Sequence, residues 1–235
     1  MLEDKVMAKL IKKLPGHSGC HVELYRHANN LYVKKSSSAE EYNRRLRKQM
    51  IKQMLFVSNQ IFTPKIYTKG YDNNIFWFTM QFVNGQSFSQ YIQNVNIKDI
   101  SIFTQKLFSS LTIDQSKTNF AANQIFQSKI NSLLKRADIF TENEKEAFNL
   151  LKQYDFSLVP DSPCHGDLTT ENILVSSDGR IYLIDFLDSF YNSWMMDIAK
   201  LLQDLELFWS YRHQRMSENL KIRLLIMKDY LLNTI

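Results

Sequence analysis

Two short apolar runs, Ile173-Leu174-Val175 and Ile181-Tyr182-Leu183-Ile184, are separated by Ser176-Ser177-Asp178-Gly179-Arg180. An Asp-Gly pair between β-branched, apolar runs is a hairpin signal, because glycine supplies the positive φ that a tight reversal needs. That hairpin constrains its surroundings. Asn172, just before the first run, and Asp185, just after the second, are brought side by side, and Asp167 lies on the loop five residues before Asn172. Three oxygen-bearing side chains around one point suit phosphoryl transfer. One Asp accepts or orients an attacking hydroxyl, while the Asn and the second Asp hold Mg2+ against the phosphate oxygens of a nucleotide. Taken singly, each of these residues is an ordinary turn former or cap. Their joint spacing is what points to chemistry.

The series Cys164-His165-Gly166-Asp167-Leu168, Asn172-Ile173-Leu174 and Ile184-Asp185-Phe186 resembles the aminoglycoside phosphotransferase and choline kinase family of small-molecule kinases. It is less similar to protein kinases, because Gly166 stands where they carry Arg and Leu187 where they carry Gly. Asp185-Phe186-Leu187-Asp188-Ser189-Phe190, with Asp197-Ile198-Ala199-Lys200-Leu201, also resembles kinase-like proteins encoded with bacterial surface-polysaccharide genes. The resemblance implies an α+β, two-lobed protein-kinase-like fold. A small antiparallel-sheet lobe over residues 1–83 would bind nucleotide, and a larger, mainly helical lobe over 84–235 would hold the catalytic and substrate groups. It implies Asp167 as the catalytic group, Mg2+ on Asn172 and Asp185, and ATP or GTP as phosphate donor. His165 and Asp197 would support the loop, although the residues alone read Asp197 equally well as a helix cap.

Patterning along the chain predicts an amphipathic helix from Glu3 to Lys13, stopped by Pro15-Gly16. Strands follow at Val22 to His27 and Leu31 to Lys34, then a Ser-rich cap and a long helix to about Ser58. Further strands are expected near Lys65 to Thr68 and Ile75 to Val83, the latter rich in aromatic and β-branched residues. After Asn84-Gly85-Gln86, helical periods run over Ser87 to Gln93, Ile97 to Leu111, Asn123 to Ala137 and Thr141 to Gln153. Beyond the hairpin they resume at Ser193 to Tyr211 and Ser217 to Leu232.

Glycine is scarce, with six residues where usage of about 7% would give about sixteen. Gly16 and Gly19 flank Ser18 in a loop before a strand, where backbone amides and the Ser18 hydroxyl can cover nucleotide phosphates. Leu31-Tyr32-Val33-Lys34 resembles the family strand that ends in a phosphate-pairing lysine, and alternation turns Lys35 to the other face. The family usually holds that lysine with a glutamate on the next helix. Here Gln49 stands at that place, and a neutral amide hydrogen-bonds an ammonium without Coulomb attraction. Three readings follow: Glu40 or Glu41 takes the role, activity tolerates the change, or the chain binds without turnover. Gln81 and Val83 belong to the strand expected to meet the nucleobase.

For the acceptor, Asp188, Tyr191, Trp194 and Trp209 are the candidates. Aromatic residues at helical spacing serve a core or a ligand cage, and a cage suits a quaternary ammonium such as choline. Asp204, Glu206, Arg212 and Arg215 would suit sugar hydroxyls. The formal charge of +5 is scattered, and even Arg44-Arg45-Leu46-Arg47-Lys48 reads as a solvated helix face, so no nucleic-acid partner is expected. The basic balance argues against a polycationic aminoglycoside. Two cysteines, Cys20 and Cys164, make no disulfide framework. No apolar run approaches the roughly eighteen residues that span a bilayer, and no cleavable leader is evident. A cytoplasmic protein with no membrane partner is expected. Its substrate would be a small-molecule hydroxyl compound: a sugar or amino sugar first, choline or ethanolamine second, with a nucleotide-binding pseudokinase as the non-enzymatic alternative. A protein kinase is disfavoured because there is no Ala-Pro-Glu motif.

Overall fold

A computed structural model describes residues 8–14, 19–112, 120–135 and 137–234. The amino-terminal sheet has the order β1-β2-β3-β6-β5, formed by Lys9–Leu14, Cys20–His27, Asn30–Ser37, Ile75–Gln81 and Ile66–Asp72, with every neighbour antiparallel. One face is covered by α1 (Asn43–Leu55), whose Leu46 and Met50 pack against Leu24, Val33, Phe76, Phe78 and Met80. Leu46 and Met50 are four residues apart and so share one helix face, while Phe76, Phe78 and Met80 share one strand face by alternation.

Of the helix expected from Glu3 to Lys13, residues 3–7 lie outside the described residues, and the remainder is corrected. Lys9–Leu14 forms β1, pairing with β2 from Lys9 opposite Arg26 to Leu14 opposite Val22, with a bulge between Leu10 and Lys12. The apolar positions Leu10, Ile11 and Leu14 fit a short helical period, but the open edge of β2 supplies backbone partners that an isolated turn of helix lacks.

A second sheet, β4-β9-β8-β7, comprises Ile61–Phe62, Ile181–Leu183, Ile173–Ser176 and Gly85–Ser87. The β8–β9 hairpin forms as predicted, with Gly179 at φ +76°. β7 can lie against β8 because residue 85 is glycine: a Cβ there would strike the carbonyl oxygen of Val175. Around this sheet pack α2 (Phe88–Tyr91), α3 (Ile97–Leu111), α6 (Trp194–Leu207) and α7 (Glu218–Thr234), burying Phe88, Leu107, Ile173, Leu183, Leu201 and Leu224 in one core. α4 (Phe120–Leu134) brings Ala122 and Ile130 into a satellite cluster with Phe156, Val159 and Tyr191, against which Phe148 of α5 (Glu142–Gln153) packs. α5 opens on a capping box between Thr141 and Glu144, which satisfies two orphan amides at once. The result is an α+β layout, with an antiparallel sheet and one helix set beside a mainly helical body.

Candidate functional site

The loop from His165 to Thr170 is held at both ends by one helix. Asp197, fully buried in the first turn of α6, accepts hydrogen bonds from the His165 amide at 2.6 Å and the Gly166 amide at 2.7 Å. Burial pushes its carboxyl up, against the pull of His165 and the two amides. Seven residues on, about two turns along the same face, buried Asp204 accepts from the Thr170 amide and hydroxyl and from the Ser210 amide and hydroxyl, at 2.7–2.9 Å. Asp204 was expected among substrate charges and is instead a brace. Its signal was present in the sequence as two aspartates a heptad apart on one helix. Asp204→Ala strands two buried donors on Thr170, each costing about 1–3 kcal/mol when unpaired, and two on half-buried Ser210 that water can reach. We expect a loss of several kcal/mol in denaturant unfolding.

His165 is fully buried, and burial lowers its pKa, so the imidazole is neutral. Its Nε2–H donates to the Ile184 carbonyl at 2.6 Å, and its Nδ1 accepts from the Asp167 amide at 3.2 Å. One ring thus ties the loop to the strand leading to Asp185. Gly166 has φ +92°, and a Cβ there would strike the carbonyl oxygen of Leu187 and come within 2.8 Å of Lys52 Nζ. Gly166→Ala combines that contact with left-handed strain of about 1–3 kcal/mol. It is expected to lower the unfolding midpoint and to displace Asp167.

Asn172 donates from Nδ2 to the Asp167 carbonyl at 2.9 Å, and its own carbonyl accepts from the Ile184 amide at 3.0 Å. Asp185 follows β9 with φ +60°, a region that Asp tolerates better than most residues. Its carboxylate forms an ion pair with Lys35 Nζ. Lys35, 4% exposed, also donates to Gln49 Oε1 at 3.3 Å.

Lys34 is therefore corrected to Lys35. Val33 is the β3 residue buried against α1, and alternation carries Lys35 and Ser37 to that same face. Lys34 points outward, its ammonium 5.2 Å from the centre of the Trp77 ring. Gln49 lies at the lysine as expected, while Glu40 and Glu41 are exposed in a 3₁₀ turn and do not take its place.

Lys35, Asn172 and Asp185 line a cavity of about 450 Å³ between the two sheets. Its apolar walls include Val22, Val33, Met80, Val83, Leu174 and Ile184, and Gln81 and Glu171 also reach it. Gly19 has φ +67° and its carbonyl accepts from the Ser38 amide. Gly16 and Ser18 lie outside the described residues.

The acceptor candidates divide. Tyr191 and Trp194 are corrected: each is 5% exposed or less, with Tyr191 Oη donating to the Val159 carbonyl and Trp194 set edge-on to Phe108. They are core because their rings fill the space beneath α3 and α4, and no aromatic cage forms from them. Trp209 is half exposed, under the Arg212 guanidinium at 4.7 Å, and Arg212 reaches Glu171 at 3.4 Å. Asp188 is exposed and paired with Lys48 at 2.9 Å. The sequence reading missed Lys200, whose Nζ lies 3.3 Å from Asp167 Oδ1. It follows Asp197 by three residues on α6, the spacing that puts both on one face.

Residues 18–217 match the family model of the phosphotransferase enzyme family. A protein of Metamycoplasma hominis, described as uncharacterized, is 28% identical over 131 residues, covering 49% of this chain and 26% of that one. The chain thus matches about a quarter of that relative's length. Among solved structures, the kinase domain of Mycobacterium tuberculosis PknI in a mutant form aligns over 88% of this chain and 78% of its own, at 14% identity and a TM-score of 0.45. A second PknI kinase-domain structure aligns over 79% and 61%, at 15% identity and a TM-score of 0.41.

Proposed function

Because the chain belongs to the phosphotransferase enzyme family, we propose that it moves the γ-phosphate of ATP or GTP to a hydroxyl of a small molecule. A sugar or amino sugar is the first acceptor class, and choline or ethanolamine the second. The observation that carries this reading is the convergence of Lys35, Asn172 and Asp185 on one cavity, while the Asn172 amide grips the backbone of Asp167. Residues 1–83 would form the nucleotide-binding lobe and 84–235 the catalytic lobe.

Asn172 and Asp185 offer amide and carboxylate oxygens, the hard donors that magnesium takes alongside water and phosphate oxygens. These two residues would hold Mg2+, which when bound neutralises charge on the phosphates. Lys35 now neutralises Asp185. With nucleotide in the cleft its ammonium turns to phosphate oxygens, with Gln49 Oε1 as a neutral tether. The apolar walls around Met80 and Val83 enclose the base, and the backbone from Gln81 to Val83 pairs with its edge. Part-exposed Asp167 orients the acceptor hydroxyl and takes its proton as the oxygen attacks the γ-phosphorus. The bond to the β-phosphate oxygen breaks, and the nucleoside diphosphate leaves. His165, Asp197 and Asp204 keep the loop in place throughout.

Nucleotide binding without turnover is the second reading. It is favoured by Gln49, which supplies no countercharge to Lys35 and whose buried Nε2 has no hydrogen-bond partner among the described residues. Among the described residues no helix is long and apolar enough to cross a membrane. We propose a cytoplasmic protein with neither a membrane nor a nucleic-acid partner.

Calorimetric titration with ATP and GTP, with and without magnesium, tests the nucleotide site. Metal-dependent binding, weakened at least tenfold in Asp185→Asn, supports it. Binding indifferent to both metal and substitution removes Asp185 from the site.

A further inference from the structure

Beside the nucleotide cleft, lysines gather around the loops that follow Asp167 and Asp185. Lys200 on α6 stands 3.3 Å from Asp167 Oδ1. Lys52 on α1 donates to the Leu187 carbonyl and the Ser189 hydroxyl, both at 2.9 Å and both neutral. Its Nζ also sits against Gly166, the residue next to Asp167. Lys48, one turn earlier on α1, pairs with Asp188. Lys129 on α4 lies 5.7 Å from the centre of the Phe190 ring, in a groove of about 420 Å³ that also takes in Ile125, Ser128 and Ser132 but no carboxylate. None of these four lysines lines the nucleotide cavity.

The carboxylates at the same loops are already engaged. Asp188 is held by Lys48 and Asp167 by Lys200, while Asp197 is turned inward to two amides. Among the described residues, no carboxylate lies within ion-pair distance of Lys52 or Lys129, although the Lys52 ammonium acts across space on the buried Asp197 carboxylate. Two ammonium groups, Lys200 against the Asp167 carboxylate and Lys52 against Gly166, thus stand at the loop that carries Asp167. A lysine ammonium is a compact point charge suited to phosphate or carboxylate oxygens. An amino sugar or amino alcohol entering there brings a like charge toward Lys52 and Lys200, which selects against it.

We propose that the acceptor carries an anionic group, a phosphate or a carboxylate, seated by Lys52 and Lys200 so that a neighbouring hydroxyl meets Asp167. A sugar phosphate or a sugar acid has this chemistry. The inference rests on the phosphotransferase reading above and narrows its acceptor.

The test uses the full chain with labelled ATP and GTP, and acceptors matched in skeleton. These are a hexose, its hexosamine, its 6-phosphate and its uronic acid, and then glycerol, ethanolamine, glycerol 3-phosphate and glycerate. The phosphate and carboxylate members of each series separate the two anion types. The expected result is a kcat/KM at least tenfold higher for an anionic member than for its neutral parent. Lys200→Met and Lys52→Met should each cut that ratio about tenfold through KM, and Lys200→Arg should retain most of it. Unfolding midpoints near wild type establish that these variants fold. A preference for neutral or cationic acceptors overturns the inference. So does a ratio unchanged by both methionine variants, or an equal loss for charged and neutral acceptors, which assigns the lysines to the transferring phosphoryl group. Nucleotide binding measured on the same samples separates the two possible failures. Bound nucleotide with no transfer to any anionic acceptor sinks this inference alone, whereas absence of nucleotide binding sinks the phosphotransferase reading beneath it.

Discussion

Asp167→Asn is expected to lower phosphate transfer by about 10²–10⁴-fold at saturating nucleotide and acceptor, the range typical of losing a positioned general base. The asparagine amide has nearly the same shape; it gives up only the part-exposed ion pair with Lys200, worth about 1 kcal/mol or less, and the other bonds that fix the loop come from other groups. The Asp167 amide still reaches His165 Nδ1, the Asp167 carbonyl still accepts from Asn172, and Asp197 still holds the His165 and Gly166 amides. Nucleotide affinity and the unfolding midpoint should therefore stay near wild type. A fall in kcat with intact binding places Asp167 at the reacting hydroxyl. An equal fall in binding and in stability would instead make Asp167 part of the scaffold, and the mechanism above would lose its base.

The second large effect separates two adjacent lysines. Lys35→Met should weaken nucleotide binding and transfer by on the order of 10²-fold, because charge-assisted hydrogen bonds are worth about 1.5–3 kcal/mol and a factor of ten is about 1.4 kcal/mol. Lys34→Met should change neither by more than about twofold. Lys34 lies on the outer sheet face over Trp77, while Lys35 is buried between Gln49 and Asp185. The reverse result, with Lys34 essential and Lys35 dispensable, would mean that the strand presents its other face to the nucleotide. Gln49→Glu belongs to the same experiment. It supplies the missing countercharge and competes with Asp185 for Lys35.

The comparison of these lysines shows where sequence reasoning stops. Strand β3 was readable from its apolar and β-branched residues, and its parity follows once Val33 is known to face α1. The residues alone allow either Tyr32 or Val33 to be the inward side chain, and one step in parity exchanges Lys34 for Lys35. The β8–β9 hairpin was legible because Asp178-Gly179 specifies its turn and both flanking runs are fully apolar. Asn172 and Asp185 were legible with it. β1 was not, because its hydrogen-bond partners lie on β2 and are invisible to a local period. The aromatic residues Tyr191 and Trp194 failed for a related reason: helical spacing identifies a face, and only packing says whether that face meets solvent or core. Asp197 was placed by resemblance, and the structure supplies its physical role in two amide hydrogen bonds. Asp204 and Lys200 share its helix and could have been found by following that face of α6 toward its C-terminus.

The account stands most directly on one measurement: transfer of label from the γ-position of ATP or GTP to pooled hydroxyl acceptors. Sugars and their amino and anionic derivatives form one pool, and amino alcohols with glycerol derivatives the other. The account predicts labelled acceptor in proportion to protein, dependent on magnesium and lost in Asp167→Asn. Label that stays in the nucleotide across both pools, while nucleotide binds in the cleft, would contradict turnover and leave a nucleotide-binding protein in its place.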